Sequence, residues 1–264
     1  MEHVRQDSDR IEQGRWWLKD LARQQVDFCT TDQSRGLPVP PVQRPVPPDA
    51  VRVALPRWGE WPHVRDISVL DAIARRESRR QFAATPLELD ELAFLLWAVQ
   101  GVRKVVHRAA VLRTVPSAGA RHPFETYVAV LHVADLVPGV YRYLPLEHEL
   151  ARLRTADAKA LSVELARAAL GQLFVGRAAA VFIWTAIPYR TEWRYGVAAH
   201  KVIALDAGHV AQNLYIACEA IEGATCAVAA YDQAAMNRLV GVDGREEFVI
   251  YLAPAGHRCG HGRE

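Results

Sequence analysis

Three short stretches carry the residue types that could do chemistry. Arg76, Ser78 and Arg80 alternate within Arg76-Glu77-Ser78-Arg79-Arg80-Gln81-Phe82. A guanidinium fork matches phosphate oxygens bidentately, and a hydroxyl adds a donor. The same cluster, with Arg75, also has the look of a basic, solvated helix end. The second stretch is Pro116-Ser117-Ala118-Gly119-Ala120-Arg121-His122-Pro123, running into the strand-like Phe124 to Val130. Ser, Ala and Gly keep side chains out of the way, so this turn can bring its backbone close to something flat or charged. The third is Arg194-Tyr195-Gly196. Arginine keeps its proton, so Arg194 could bind a carboxylate or polarise a carbonyl but is a poor general base. Tyr195, beside that cation, is the better candidate for proton transfer, and His200 nearby could also serve.

These stretches need elements to hold them. Ser8 to Gln25 reads as a short charged helix, and 37–48 holds six prolines, which favours an extended arm. That arm is either a linker or a wrap around the body or a second subunit. Val51 to Leu55, Trp58 and Trp61 need burial and favour the wrap. Ser68 can cap a helix to about Arg80. Thr85-Pro86-Leu87-Glu88 reads as a second helix start, carrying Leu92, Leu95, Leu96 and Val99 at helical spacing and stopping at Gly101. Strands are expected at 124–133, 179–187, 225–230 and 247–253, with a hairpin over 139–143 and 150–153. Helices are expected at 158–170, from the Asp232 cap, and over 196–222, the longest. Within that last helix Gly208 and Ala211 permit close packing, and His209 and Asn213, four apart, share a face. The mix predicts an α+β fold rather than a doubly wound sheet. Two units follow: 1–65, a helix and proline-rich arm, and 66–264, the main domain.

Composition excludes several classes. Half the 264 residues are hydrophobic and 23% are charged, which is ordinary for a globular chain with a good core. The net charge of +2 leaves no electrostatic footprint for nucleic acid. No apolar run is long enough to span a bilayer, and the polar first residues carry no secretory signal. Cys29, Cys218, Cys226 and Cys259 lack a CxxC pair and read as reduced thiols, so a cytoplasmic protein is expected. The tail His257-Arg258-Cys259-Gly260-His261 reads as a frayed terminus rather than a metal clip, and no metal is expected. No GxGxxG follows a strand, so there is no Rossmann dinucleotide site.

Taken together, the 76–82, 116–123, 194–196 and Gly208-His209-Val210-Ala211-Gln212-Asn213-Leu214 segments resemble the nitroreductase-like FMN flavoenzymes, most closely the SagB/ThcOx-type dehydrogenase branch. The resemblance covers about 66–256. It implies a central, mostly antiparallel sheet flanked by helices, one FMN per subunit, and a homodimer with FMN in the seam. Trp16, Trp17, Trp58, Trp61 and Trp97 would help to bury that seam. Arg76, Glu77, Ser78 and Arg80 would hold the phosphate, ribityl and pyrimidine edge. Pro116, Ser117, Ala118 and Gly119 would run along the ring, and Ala229 and Ala230 would present an amide to N5. His209 and Asn213 would line the cofactor. Tyr195, Arg194 and His200 would be catalytic. The chain departs from the branch at Arg194, where azoline-oxidising members have Lys, and at His200, often Tyr. It departs again at Ala229-Ala230, where Gly is common, and at Glu222-Gly223-Ala224, often Gly-Leu-Gly. The implied activity is FMN-dependent oxidoreduction of a small-molecule or peptide substrate by hydride transfer at N5, with NAD(P)H or the substrate as donor. The alternatives are an azoline dehydrogenase of peptide modification and a non-catalytic flavin-fold scaffold in a biosynthetic complex.

Overall fold

The computed structural model describes residues 2–107 and 110–259. In chain order the elements are α1 (Glu2–Leu18), α2 (Leu21–Gln24), β1 (Arg52–Ala54), α3 (Val69–Arg75), α4 (Leu89–Gln100), β2 (Val102–His107), β3 (Ala110–Arg113), β4 (Phe124–Val130), β5 (Gly139–Leu144), β6 (Glu149–Thr155), α5 (Ala158–Ala168), β7 (Ala180–Ala186), α6 (Tyr189–Tyr195), α7 (Ala199–Ala220), β8 (Gly223–Thr225), α8 (Gln233–Val240) and β9 (Phe248–His257). Seven strands form one sheet in the order β1-β6-β5-β4-β7-β9-β8, and every neighbouring pair in it is antiparallel. Strands β2 and β3 make a separate hairpin. The α+β expectation holds, and no described helix is long and apolar enough to cross a membrane.

The central strands β4 and β7 are buried throughout because both sheet faces are covered. Phe124, Val128 and Val130 of β4 join Phe182 and Trp184 of β7 against α4 and α7. Tyr127 and Ala129 join Val181 and Ile183 on the other face, against Leu161 and Leu165 of α5 and Met236 and Leu239 of α8. Leu92, Leu95, Leu96 and Val99 are all fully buried, and Gly101 ends their helix as expected.

Several expected boundaries move, each for a non-local reason. The helix from Ser68 stops at Arg75, and the chain then runs extended, because the Arg79 amide donates to the Thr225 carbonyl and Phe82 bridges Arg258. The second helix begins at Leu89, with Glu88 as its cap in a reciprocal box with Glu91. Thr85 is not the cap, because Leu87 is drawn into a bridge with Val133 and buried. The helix expected over 8–25 is two pieces, α1 and α2. The strand expected over 225–230 is β8 followed by a single bridge from Val228 to Leu252. The tail is not frayed through 258, since β9 reaches His257 and Arg258 pairs beyond it; Gly260 and His261 lie outside the described residues.

The arm wraps its own body. A polyproline-like chain makes no internal hydrogen bonds, so its carbonyls need outside donors. Trp193 donates to Leu37, Arg113 to Val42, and Arg142 to Arg44 and Pro45. The Arg44 amide donates to Glu125, and β1 adds an edge strand to β6.

Candidate active site

The turn between β3 and β4 is tightly wound. Gly119, Ala120 and His122 have φ of +57°, +52° and +46°. Left-handed backbone is easy for glycine and costs other residues, so something must hold the turn. That something is Asp206, a buried carboxylate on α7. Ser117 Oγ donates to it at 2.5 Å, the Ala118 amide lies 3.3 Å from both its oxygens, and the His122 amide donates to Ser117 Oγ at 2.9 Å. Burial pushes the Asp206 pKa up, while the Ser117 and Ala118 donors pull it back. A lone Asp in a helix carries no signal in the sequence, and Asp206 was not foreseen.

Tyr195 and Arg194, the last residues of α6, lie against this turn. A Cβ on Gly119 would stand 2.6 Å from the Tyr195 hydroxyl and 3.0 Å from Arg194 Nε. The Arg194 guanidinium sits 5.5 Å from the Tyr195 ring centre. Four predicted residues therefore meet here: Ser117, Gly119, Arg194 and Tyr195. Ala118 joins them through its amide, and Pro116 leads into the turn as an exposed residue. His200 does not join. Its Nε2 pairs with Glu192 at 2.8 Å on an exposed face. His209 is half-exposed, 3.9 Å from Asp206, and Gly208 has open space where a Cβ would point. Asn213 donates to the Ala98 carbonyl at 2.8 Å, tying α7 to α4.

His122, in the same turn, is held neutral. Burial, then the charge of Arg113, pushes its imidazole down to about 3. The unfolded chain takes this proton near pH 6.5 and the folded chain resists it, so the stability is full above that pH and is lost as pH falls. Urea unfolding should weaken between pH 6.5 and 5 by up to about 1.4 kcal/mol per pH unit from this residue. His122→Asn, which tolerates left-handed backbone, should flatten the slope by about one proton. His148, lowered by burial, adds in the same sense, whereas His257, raised by Glu91, acts above pH 6.5. An unchanged slope in the variant would mean that His122 takes its proton within the fold.

The basic segment forms a second cluster around Tyr215, another residue that sequence reading missed. Ser78 Oγ and the Tyr215 hydroxyl are 2.9 Å apart, and the Ala227 amide donates to that hydroxyl at 2.9 Å. The Arg76 guanidinium stacks 5.5 Å from the Tyr215 ring centre. Tyr215 thus links 76–78 to the segment after β8 that leads into Ala229 and Ala230. Arg80 lies over Phe174, and Gln172 of the same loop donates to the Ala230 carbonyl. Neither alanine has positive φ, and both are exposed, with amides that have no hydrogen-bond partner among the described residues.

The four arginines divide by charge balance. Arg75 pairs with Asp71, and Arg79 pairs with Glu219 and the exposed Glu77. Arg76 and Arg80 have no acidic partner among the described residues. Ser78 and Arg80, together with Arg258, line a cavity of 450 Å³. Arg258 could not be singled out while the tail read as frayed.

Within one chain the two clusters stay apart. Asp206 and Tyr215 are nine residues apart on α7. At about 1.5 Å and ~100° per residue they are ~13 Å apart and on opposite faces.

The sequence pattern of the Nitroreductase family matches residues 73–257. A nitroreductase-like protein of Methanocaldococcus jannaschii is 33% identical over 197 residues, covering 75% of this chain and 94% of that one. The trifolitoxin-processing protein TfxB of Rhizobium leguminosarum is 31% identical over 109 residues, 40% of this chain and 29% of its own length. Among solved structures, a nitroreductase-like protein of Ralstonia eutropha superposes with a TM-score of 0.63 at 25% identity, covering 85% of this chain and 100% of that one. With sequence and fold agreeing over most of its length, the chain belongs to the Nitroreductase family.

Proposed function

We propose that this chain is an FMN-dependent oxidoreductase. One observation carries the reading: Arg76 and Arg80 keep free guanidinium groups beside Ser78, while Arg75 and Arg79 between and around them are neutralised. Unpaired arginines next to a hydroxyl, with Arg80 and Ser78 lining a cavity, suit a phosphate. The small-residue turn at 117–120 and the amides of Ala229 and Ala230, which have no partner among the described residues, suit a flat ring with polar edges. FMN, when bound, supplies two-electron chemistry at N5. The chain's own groups bind and orient. Arg76, Ser78 and Arg80 hold the phosphate end, the Ala229 and Ala230 amides face the ring, and Arg194 binds substrate while Tyr195 moves a proton at its hydroxyl. NAD(P)H or the substrate is the donor.

The site is completed by a second copy. The opposite faces of α7 support this, because one flavin cannot span both clusters of a single chain. So do Val69, Leu70, Ile73 and Leu205, apolar and exposed, beside a 340 Å³ groove lined by Trp97, Asn213 and Ile216.

The purified protein should show a flavin band near about 450 nm that is bleached anaerobically by NADH, NADPH or its own substrate. Arg76→Gln and Arg80→Gln should each weaken FMN binding about 10-fold or more, as expected for lost charge-assisted hydrogen bonds. No band, even after adding FMN back, would sink the proposal. The match to a toxin-processing protein favours a narrower reading, azoline dehydrogenation on a peptide. Arg194 opposes it, since arginine holds its proton. Azoline-peptide turnover that appears on Arg194→Lys would support that reading, and its absence in both forms would end it.

A further inference from the structure

We infer that the turn side of the site carries an anion subsite, built from Arg121 and Arg194, that takes a substrate carboxylate beside Tyr195. The inference rests on the reading above in taking Tyr195 to lie at the reacting centre and Arg76 and Arg80 to take the FMN phosphate.

The charge balance around the turn is uneven. Three guanidinium groups, Arg121, Arg190 and Arg194, come together at α6. Among the described residues one carboxylate pairs with them: Glu125, buried and paired with Arg190. Arg121 is only 5% exposed. Its Nε donates to the Arg190 carbonyl at 3.0 Å, its guanidinium lies 5.0 Å from the Trp193 ring centre, and no acid among the described residues pairs with it. Burial, then the charges of Arg194 and Arg190, lowers its pKa, so the three cations do feel one another. Arg194 likewise has no acidic partner among the described residues. The nearest candidate in sequence, Glu192, is taken by His200. Asp206, on the other side of the turn, is engaged by Ser117 and Ala118.

Like charges held together in a partly desolvated place repel, and an anion bound between them would relieve that repulsion. A guanidinium offers two parallel N–H donors, which fit the planar oxygens of a carboxylate. The FMN phosphate has its own unpaired cations, Arg76 and Arg80, on the opposite face of α7. The pair at the turn is therefore left for substrate. Arg194 and the Tyr195 hydroxyl pack together over Gly119, so an acid held by Arg194 would lie within reach of that hydroxyl. The carboxylate could belong to a small organic acid or to a peptide's free C-terminus.

Isothermal titration calorimetry on the full chain with its flavin tests this, using benzoate against benzamide, and a tripeptide with a free C-terminus against its amide. Benzoate, the free tripeptide, or both should bind, the neutral forms should not, and which acid binds more tightly identifies the source. Arg194→Gln and Arg121→Lys should each weaken binding about 10-fold or more, the lysine preserving the aliphatic packing over Trp193. The exposed Arg245→Gln should leave it unchanged, which controls for net charge. Equal binding of acid and amide, no binding of either acid, or wild-type affinity in both site variants would overturn the subsite. The flavin band, read on the same samples, reports separately on FMN, so either idea can fail alone.

Discussion

A Gly119→Val variant should stay folded yet lose about 100-fold or more in kcat/KM, the scale on which misplacing reacting groups by an ångström is felt. Gly119 sits at φ +57°, and a Cβ there would meet the Tyr195 hydroxyl at 2.6 Å and Arg194 at 3.0 Å. A branched side chain must push both residues away from the turn. Backbone strain at that φ adds about 1–2 kcal/mol, which a domain of this size can absorb. Thermal unfolding read beside the kinetics separates the two effects. Retention of full activity would remove the turn from the reacting centre. The same variant tests the two-copy site. Mixed with Arg80→Gln subunits, it should recover part of the activity, because one site of each mixed dimer then receives an intact turn from one copy and an intact phosphate end from the other. No gain of the mixture over the two variants measured separately would mean that each site is built within one chain.

Glu125→Leu should be among the most destabilising single changes, at about 3–5 kcal/mol. Glu125 and Arg190 are 2% and 1% exposed, and the carboxylate also accepts the Arg44 amide of the arm. Removing it leaves a guanidinium inside the protein with no counter-charge. For a chain of this size each kcal/mol shifts the melting temperature by roughly 2–4 °C, so a fall of roughly 6–20 °C is expected. The pair Glu125→Leu with Arg190→Met should recover much of the loss, since an apolar replacement of both partners leaves nothing unpaired. The arm should also loosen, visible as faster proteolytic nicking between 38 and 48. A melting temperature within a degree or two of the parent would mean that the pair is solvated in the folded protein.

Much of the fold was legible because it rests on local periodicity. The four apolar residues of α4 repeat at helical spacing and all reach the core, and the apolar runs within β4 and β7 read as strands, both of whose faces are covered. Asp232 reads as a cap and caps, accepting the Ala235 amide. The misread boundaries share a cause. Arg79 and Leu87 give their amides to carbonyls at Thr225 and His132, partners distant in sequence, and no window around either residue contains that information. The β2–β3 hairpin went unseen as well, and its register is irregular.

The sequence by itself determined which groups could do chemistry: two arginines around a serine, a turn of small residues, and an arginine–tyrosine pair. Tertiary structure decided which of them are available and which stand together. It neutralised Arg75 and Arg79 and left Arg76 and Arg80 free, because only the former face carboxylates. It brought Arg194 and Tyr195 against Gly119, sent His200 to Glu192, and assigned Asn213 to a helix contact. It also gave two unheralded residues, Asp206 and Tyr215, the task of anchoring one cluster each, on opposite faces of the same helix. Residue type sets what a group can do, but pairing, burial and distance are properties of contacts between segments far apart in the chain, and those exist only once it has folded.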